Sequence, residues 1–329
     1  MAGALPACGS DGGELLARLR TGGLLPAGRD VLVLLSGGRD SVCLLDAAVL
    51  LAGAGHVRAL HVNYGLRDEA SADEDACVEL CERLGVELRV ERPGAPPRAG
   101  NLQAWARDLR YGAGTRLAAA AGARLAAGHT ITDQAETVLY RLAASPGRRA
   151  LLGMEDERGL LVRPLLRAGL SREDTADWCR ARGLDWREDL TNESPGFARG
   201  RVRARAMPAL RELHPAAETN LLRTVALLRE EAAVLDELVE TVLGDRREIG
   251  VEHLAALPPA LARLVVRRLA EDAAGRLCAR APGRLDELLG LARADGRPAA
   301  LDLGDGARAV VERGALRFER GGPAPIRPQ

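Results

Sequence analysis

Val31–Leu35 is an unbroken apolar run, and Ser36-Gly37-Gly38 ends it abruptly. A run of this kind needs apolar cover on both faces, which a central strand of a parallel sheet has. Val57–Val62, Val86–Val90 and Arg124–Ala127 read as further buried strands. Between them, Ser41–Leu51, Ser71–Leu84, Asn101–Gly122 and Thr132–Ala143 read as helices, after a short helical stretch near Glu14–Leu19. In Ser71–Leu84 the apolar Cys77, Leu80, Cys81 and Leu84 share one face. Strict alternation of strand and helix predicts an α/β fold, a doubly wound parallel sheet with its ligand site at the carboxyl ends of the strands. Leu160–Leu166 and the amphipathic stretch Ser171–Gly183 close this domain.

The pattern changes after Pro215. Leu221, Leu222, Val225, Leu228, Leu235, Leu238 and Val242 recur at helical spacing and predict one long linker helix. Short helices are expected over 251–292. Small strands are expected at Ala299–Leu303, Arg308–Glu312 and Ala315–Glu319, with turns at Gly304–Gly306 and Gly314. A chain of 329 residues has room for this second, small α+β domain. The expected division is 1–212 for the catalytic domain, 213–245 for the helical linker and 246–329 for the C-terminal domain.

Composition excludes some chemistry. All 46 basic residues are arginine, so no Walker-type lysine can reach a phosphate. Net charge is zero, so any nucleic-acid site must come from local clusters. Cys8, Cys43, Cys77, Cys81, Cys179 and Cys278 form no CxxC pair and read as small buried side chains. There is no signal-peptide pattern and no apolar run of membrane-spanning length, so a cytoplasmic protein is expected.

The chemistry-bearing segment is Ser36-Gly37-Gly38-Arg39-Asp40-Ser41, between a buried strand and a helix. Glycines let successive N–H groups face one anion, and a helix N-terminus adds positive potential. Ser36 and Ser41 offer hydroxyls to phosphate oxygens. Asp40 is an odd neighbour for phosphate unless a cation lies between them, which indicates Mg²⁺. Asp133 and Glu136 are three apart at a helix start and share a face. They could hold Mg²⁺ or the ammonium group of a lysine, or simply complement the helix dipole. His129, at a strand end, is either a ligand contact or a structural histidine. Arg199, Arg201, Arg203, Arg205 and Arg211 make a basic tract, either a solvated face or a set of phosphate contacts.

The loop resembles that of the PP-loop ATP pyrophosphatases, which cleave ATP to AMP and pyrophosphate. Further motifs follow in order: His61-Val62-Asn63-Tyr64-Gly65-Leu66-Arg67, Asn101–Tyr111, Gly128-His129-Thr130-Ile131-Thr132-Asp133-Gln134-Ala135-Glu136-Thr137, Gly153-Met154, Arg163-Pro164-Leu165-Leu166 and Asp189-Leu190-Thr191-Asn192. Over about residues 28–211 the set looks like tRNA(Ile)-lysidine synthetases. That resemblance implies ATP-dependent joining of free lysine to carbon 2 of the wobble cytidine in an isoleucine tRNA with a CAU anticodon. It implies ATP contacts at Ser36, Gly37, Gly38, Asp40, Ser41, His61 and His129. It implies catalytic roles for Asp40, Asp133, Glu136 and Arg201, with Mg²⁺ on Asp40 and Asp133. It also implies tRNA contacts from Arg199, Arg201, Arg203 and Arg205. The sequence departs from the family pattern at Tyr64, Thr130, Thr132 and Gly200, where His, His, Asp and Asn are usual.

Three rivals remain. A tRNA thiolase commonly uses Cys pairs or an iron–sulfur cluster, and no CxxC is present. An amidating synthetase usually carries a different second domain. Against a catalytically decayed tRNA-binding paralogue stand the intact loop and the Asp133/Glu136 pair, while Thr132 and Gly200 keep that reading open. For the C-terminal region, with Arg308, Arg313, Arg317 and Arg320, tRNA binding and oligomerisation as a homodimer are both open.

Overall fold

The computed structural model describes residues 10–66, 70–97, 102–144, 148–187, 198–291 and 297–321. The chain divides into two compact units between Ala226 and Leu227.

The first unit opens with α1 (Ser10–Gly22), then β1 (Val31–Leu34), α2 (Arg39–Ala52), β2 (Val57–Val62), α3 (Ala70–Leu84), β3 (Glu87–Glu91), α4 (Leu102–Ala120), β4 (Arg124–Ala126) and α5 (Ile131–Ala144). A short α6 (Arg148–Leu151) leads to the strands β5 (Glu157–Arg158) and β6 (Leu161–Val162). Then come α7 (Pro164–Arg167), α8 (Arg172–Ala181), α9 (Ala198–Arg201), a π-helical turn Val202–Ala206 and α10 (Met207–Leu213). The sheet order is β3-β2-β1-β4-β6-β5. All neighbours run parallel except the edge hairpin β5–β6.

β1 shows why its sequence is apolar throughout. Val31, Val33 and Leu35 enter a core that includes residues of α1, α2, α3 and α8. Leu32 and Leu34 enter a second core on the other face, with Ala113 and Ala118 of α4. Central position in the sheet and cover on both sides place the end of β1, and the loop that follows it, in the middle of the carboxyl rim.

α2 and α8 are locked by a buried ion pair. Arg182 Nε donates to Asp46 Oδ2 at 2.9 Å and Nη2 to Oδ1 at 3.0 Å, while Trp178 Nε1 donates to Oδ2 at 2.9 Å. Cys43, Cys77, Cys81, Cys179 and Cys278 are all buried, as the composition indicated. Burial pushes the Cys77 and Cys81 thiols up to about 12.

α11 (Ala217–Leu243) spans the division between the units. The second unit continues with β7 (Glu248–Gly250), α12 (Val251–Ala256), α13 (Pro259–Ala274), α14 (Leu285–Leu291), β8 (Ala299–Asp302), β9 (Ala307–Glu312) and β10 (Ala315–Arg320). Its antiparallel sheet has the order β7-β10-β9-β8. Alternate residues Ala307, Ala309 and Val311 of β9, with Leu316 and Phe318 of β10, meet Val265, Val266 and Leu269 of α13 in one core.

Several boundaries differ from the sequence reading. α2 begins at Arg39 rather than Ser41, which puts Asp40 in its first turn. β3 begins at Glu87, because Val86 N–H closes the end of α3 on the Cys81 carbonyl at 2.9 Å. The strands β5, β6 and β7 have two or three residues each, too few to show a period. α13 is a full helix of 16 residues rather than a short one.

Candidate active site

The loop after β1 turns on Gly37, whose φ of 80° is a left-handed conformation open to glycine. Ser41 Oγ donates to the Gly38 carbonyl at 2.8 Å and accepts from Ser36 N at 3.2 Å. Ser36 Oγ lies 3.1 Å from Ser41 Oγ, so the two hydroxyls form one chain that pins the turn. β4 approaches the loop from behind. A β-carbon on Gly128 would stand 2.9 Å from the Asp40 carbonyl oxygen, so only glycine permits this contact. His61 lies beneath the loop, 5% exposed, with Nδ1 3.0 Å from the Leu35 carbonyl.

Asp40 stands beside the loop. Thr175 Oγ1 of α8 donates to its Oδ1 at 2.5 Å. Burial, and then the nearby Asp133 charge, raise its carboxyl above the usual range, although Thr175, Arg39 and Arg172 oppose this. Asp133 in the first turn of α5 and Glu136 one turn on face the same point. Thr130 caps that helix: its Oγ1 accepts from Asp133 N at 3.4 Å, and its N–H and hydroxyl each donate to Asp133 Oδ2 at 2.9 Å. The threonine that replaces the family's usual histidine is therefore a helix cap. Burial pushes the Asp133 carboxyl up, but Arg172, His129 and Thr130 together hold it below the ordinary range.

At the centre is Arg172, a residue to which the sequence reading assigned nothing. Its Nη2 donates to Asp133 Oδ1 at 2.6 Å and its Nη1 to Glu136 Oε1 at 2.9 Å. Its Nε is 3.7 Å from Asp40 Oδ2. In sequence it is one more arginine at the start of an amphipathic helix. A signal was present nonetheless, because three carboxylates on one rim require a cation and the chain has no lysine.

The basic tract splits. Arg203 turns inward and grips Glu136 with two bonds, Nε to Oε1 at 2.8 Å and Nη2 to Oε2 at 3.0 Å. Arg201 and Arg205 are exposed. The Arg199 side chain, Asn101, Arg67 and Asp189–Asn192 lie outside the described residues.

His129 is neutral. Arg163 Nε donates to its Nδ1 at 3.2 Å, which leaves the proton on Nε2, 3.4 Å from the Tyr111 hydroxyl. Burial, with Arg163, Arg110 and Arg107 nearby, lowers its pKa to about 3 despite the opposing Asp133 charge. The quoted motifs are also partners in space. Gln134 accepts from Met154 N–H at 2.7 Å and donates to the Met154 carbonyl at 3.0 Å, which ties the α5 motif to Gly153-Met154.

A glycine-rich turn at the end of β1, three convergent carboxylates and two arginines thus share one rim. Comparison with known proteins identifies the family. A family model described as the PP-loop domain matches residues 16–210. The tRNA(Ile)-lysidine synthase of Symbiobacterium thermophilum is 38% identical over 326 residues, covering 92% of this chain and 67% of its own. That of Salinispora tropica is 40% identical over 268 residues, covering 77% of this chain and 79% of its own. The solved U34-tRNA thiolase NcsA from Methanococcus maripaludis superposes with a TM-score of 0.55 at 20% identity, over 66% of this chain and 78% of that one, a likeness of fold alone. The loop and its sheet therefore form an ATP-binding PP-loop domain, and the chain belongs to the tRNA(Ile)-lysidine synthase family.

Proposed function

We propose that the protein joins free lysine to carbon 2 of the wobble cytidine in an isoleucine tRNA with a CAU anticodon, at the expense of ATP. The observation that supports this most is the convergence of Asp40, Asp133 and Glu136 beside the Ser36–Ser41 turn. ATP phosphates lie on the loop amides and the N-terminus of α2. The cytidine carbonyl oxygen attacks the α phosphate, and pyrophosphate leaves as loop N–H groups stabilise its charge. The base, now adenylated, is electrophilic at carbon 2. The lysine ε-amine attacks there, AMP departs, and Asp133 and Glu136 orient the amine, one of them accepting its proton.

Asp40 and Asp133 supply the hard carboxylate oxygens that Mg²⁺ prefers. Burial, and then the Asp133 charge, raise the Asp40 pKa, and a bound cation would oppose both. Mg²⁺ held there would neutralise charge on the phosphates. Arg201 and Arg205 face solvent, where phosphates of an anticodon arm can reach them. A single-stranded anticodon loop can splay its base towards the rim. In this reading residues 1–212 catalyse, 213–245 link and 246–329 grip the tRNA body, with Arg308, Arg313 and Arg320 exposed for that contact. The enzyme works in the cytoplasm beside its tRNA. No described helix is long and apolar enough to cross a membrane.

The test is pyrophosphate release from ATP in the presence of unmodified isoleucine tRNA. It should depend on that tRNA and be lost in Asp40→Asn. Release that ignores the tRNA, or survives this change, contradicts the proposal.

A further inference from the structure

Arg172 is the first helical residue of α8, directly after the capping Ser171. The phosphate chemistry above needs no arginine at this place. Its meaning follows from counting acceptors. A carboxylate offers about four acceptor positions, and an ammonium group brings about three donors. Asp133 Oδ2 already takes two bonds from Thr130, and Oδ1 takes one from Arg172. Glu136 Oε1 takes one bond each from Arg172 and Arg203, and Oε2 takes another from Arg203. About one position is left on each carboxylate, fewer than an ammonium group needs.

An ammonium seated across Asp133 and Glu136 must therefore take an acceptor that an arginine now holds. Arg172 is the arginine in its path. The two terminal nitrogens of Arg172 span both carboxylates, whereas Arg203 binds Glu136 and not Asp133 in this cluster. Arg172 also has a second partner to turn to. Asp40 Oδ2 lies 3.7 Å from its Nε, close enough to attract it and too far to hydrogen-bond.

We infer that Arg172 is a resident cation that fills the amino-acid subsite of the ligand-free enzyme, and that substrate lysine binds by exchanging with it. This rests on the reading that Asp133 and Glu136 receive the ε-ammonium. The consequence is specificity. An incoming cation must offer the two carboxylates more than a tethered, three-way paired guanidinium does. Simple cations do not meet that demand, and lysine adds contacts from its other groups. Arg172 is thus a specificity-determining residue.

The experiment is calorimetric titration of the full-length enzyme with lysine, using wild type, Arg172→Ala, Arg172→Gln and Arg172→Lys. Arg172→Ala and Arg172→Gln should bind lysine about tenfold more tightly, because a charge-assisted bond no longer has to be broken. Arg172→Lys should stay near wild type, since its own ammonium fills the subsite. Guanidinium ion at millimolar concentration should compete with lysine in Arg172→Ala and leave wild-type affinity unchanged. Unchanged or weaker lysine binding in folded Arg172→Ala or Arg172→Gln would overturn the inference. So would guanidinium that strengthens lysine binding in Arg172→Ala, because Arg172 would then be a fixed positioning group. The nearly isosteric Gln variant carries the test if the Ala variant unfolds. Asp133→Asn separates the two levels: lysine binding that survives this change removes the underlying subsite, whatever Arg172 does.

Discussion

Replacing Gly128 by alanine tests the phosphate loop from its back. The new β-carbon would lie 2.9 Å from the Asp40 carbonyl oxygen, 3.0 Å from the Asp40 carbonyl carbon and 3.1 Å from Ser41 N. Ordinary contact between such atoms is about 3.5 Å, so one side must retreat by roughly 0.5 Å. All three neighbours are backbone atoms in the first turn of α2, and no change of rotamer relieves them. Overpacking of this kind costs about 1–3 kcal/mol in stability. Function should suffer separately. A misplacement of ~1 Å in a reacting group costs about a hundredfold in rate, so half of that predicts kcat/KM for ATP roughly tenfold lower. The assay is the initial rate of tRNA-dependent pyrophosphate release against ATP concentration, with urea unfolding measured beside it. Gly290→Ala is the control, at an exposed helical position with nothing within 4 Å. It should be neutral or stabilise by up to ~1 kcal/mol. A Gly128→Ala enzyme with wild-type kcat/KM and wild-type stability would refute the reasoning.

Other changes have distinct signatures. Asp46→Ala strands Arg182, 6% exposed, without its carboxylate, and should cost about 3–5 kcal/mol in urea unfolding; a loss below about 1 kcal/mol would show that Arg182 finds other solvation. Gln134→Leu removes both hydrogen bonds to the Met154 backbone and should cost about 1–3 kcal/mol in urea unfolding. His129 has a folded pKa of about 3 against about 6.5 unfolded, so only the unfolded chain takes up its proton between those values. Stability should fall as pH drops through that window, and His129→Asn should flatten the fall; parallel wild-type and variant curves would contradict this. Asp133 works in the same direction: its lowered pKa contributes stability above about 3.9 that is lost on further acidification.

The parts of the fold legible in sequence are those with a local cause. Val31–Leu35 announced a strand covered on both faces, and β1 meets one core with Val31, Val33 and Leu35 and another with Leu32 and Leu34. The glycines and hydroxyls of the phosphate turn are likewise neighbours in sequence. Arg172 had no local signal of this kind, only the need of three distant carboxylates for a cation: Asp40, 132 positions earlier, and Asp133 and Glu136 in another helix. Arg203 looked like one member of an outward basic tract. The π-helical turn sets its side chain on Glu136, and a short distortion of this sort has no period to read. The Asp133 and Glu136 pair posed an open choice between cation binding and helix capping. In the structure Asp133 places one oxygen on the helix-capping Thr130 and the other on Arg172.

The most direct measurement is incorporation of radiolabelled lysine into unmodified isoleucine tRNA with a CAU anticodon, in the presence of ATP and Mg²⁺. The wild type should incorporate lysine, and both Asp40→Asn and Asp133→Asn should lose that activity. Pyrophosphate release without lysine incorporation would contradict this reading and point to another nucleophile. Folded protein that binds the tRNA, yet neither releases pyrophosphate nor incorporates lysine, would contradict it in favour of a non-catalytic tRNA-binding protein.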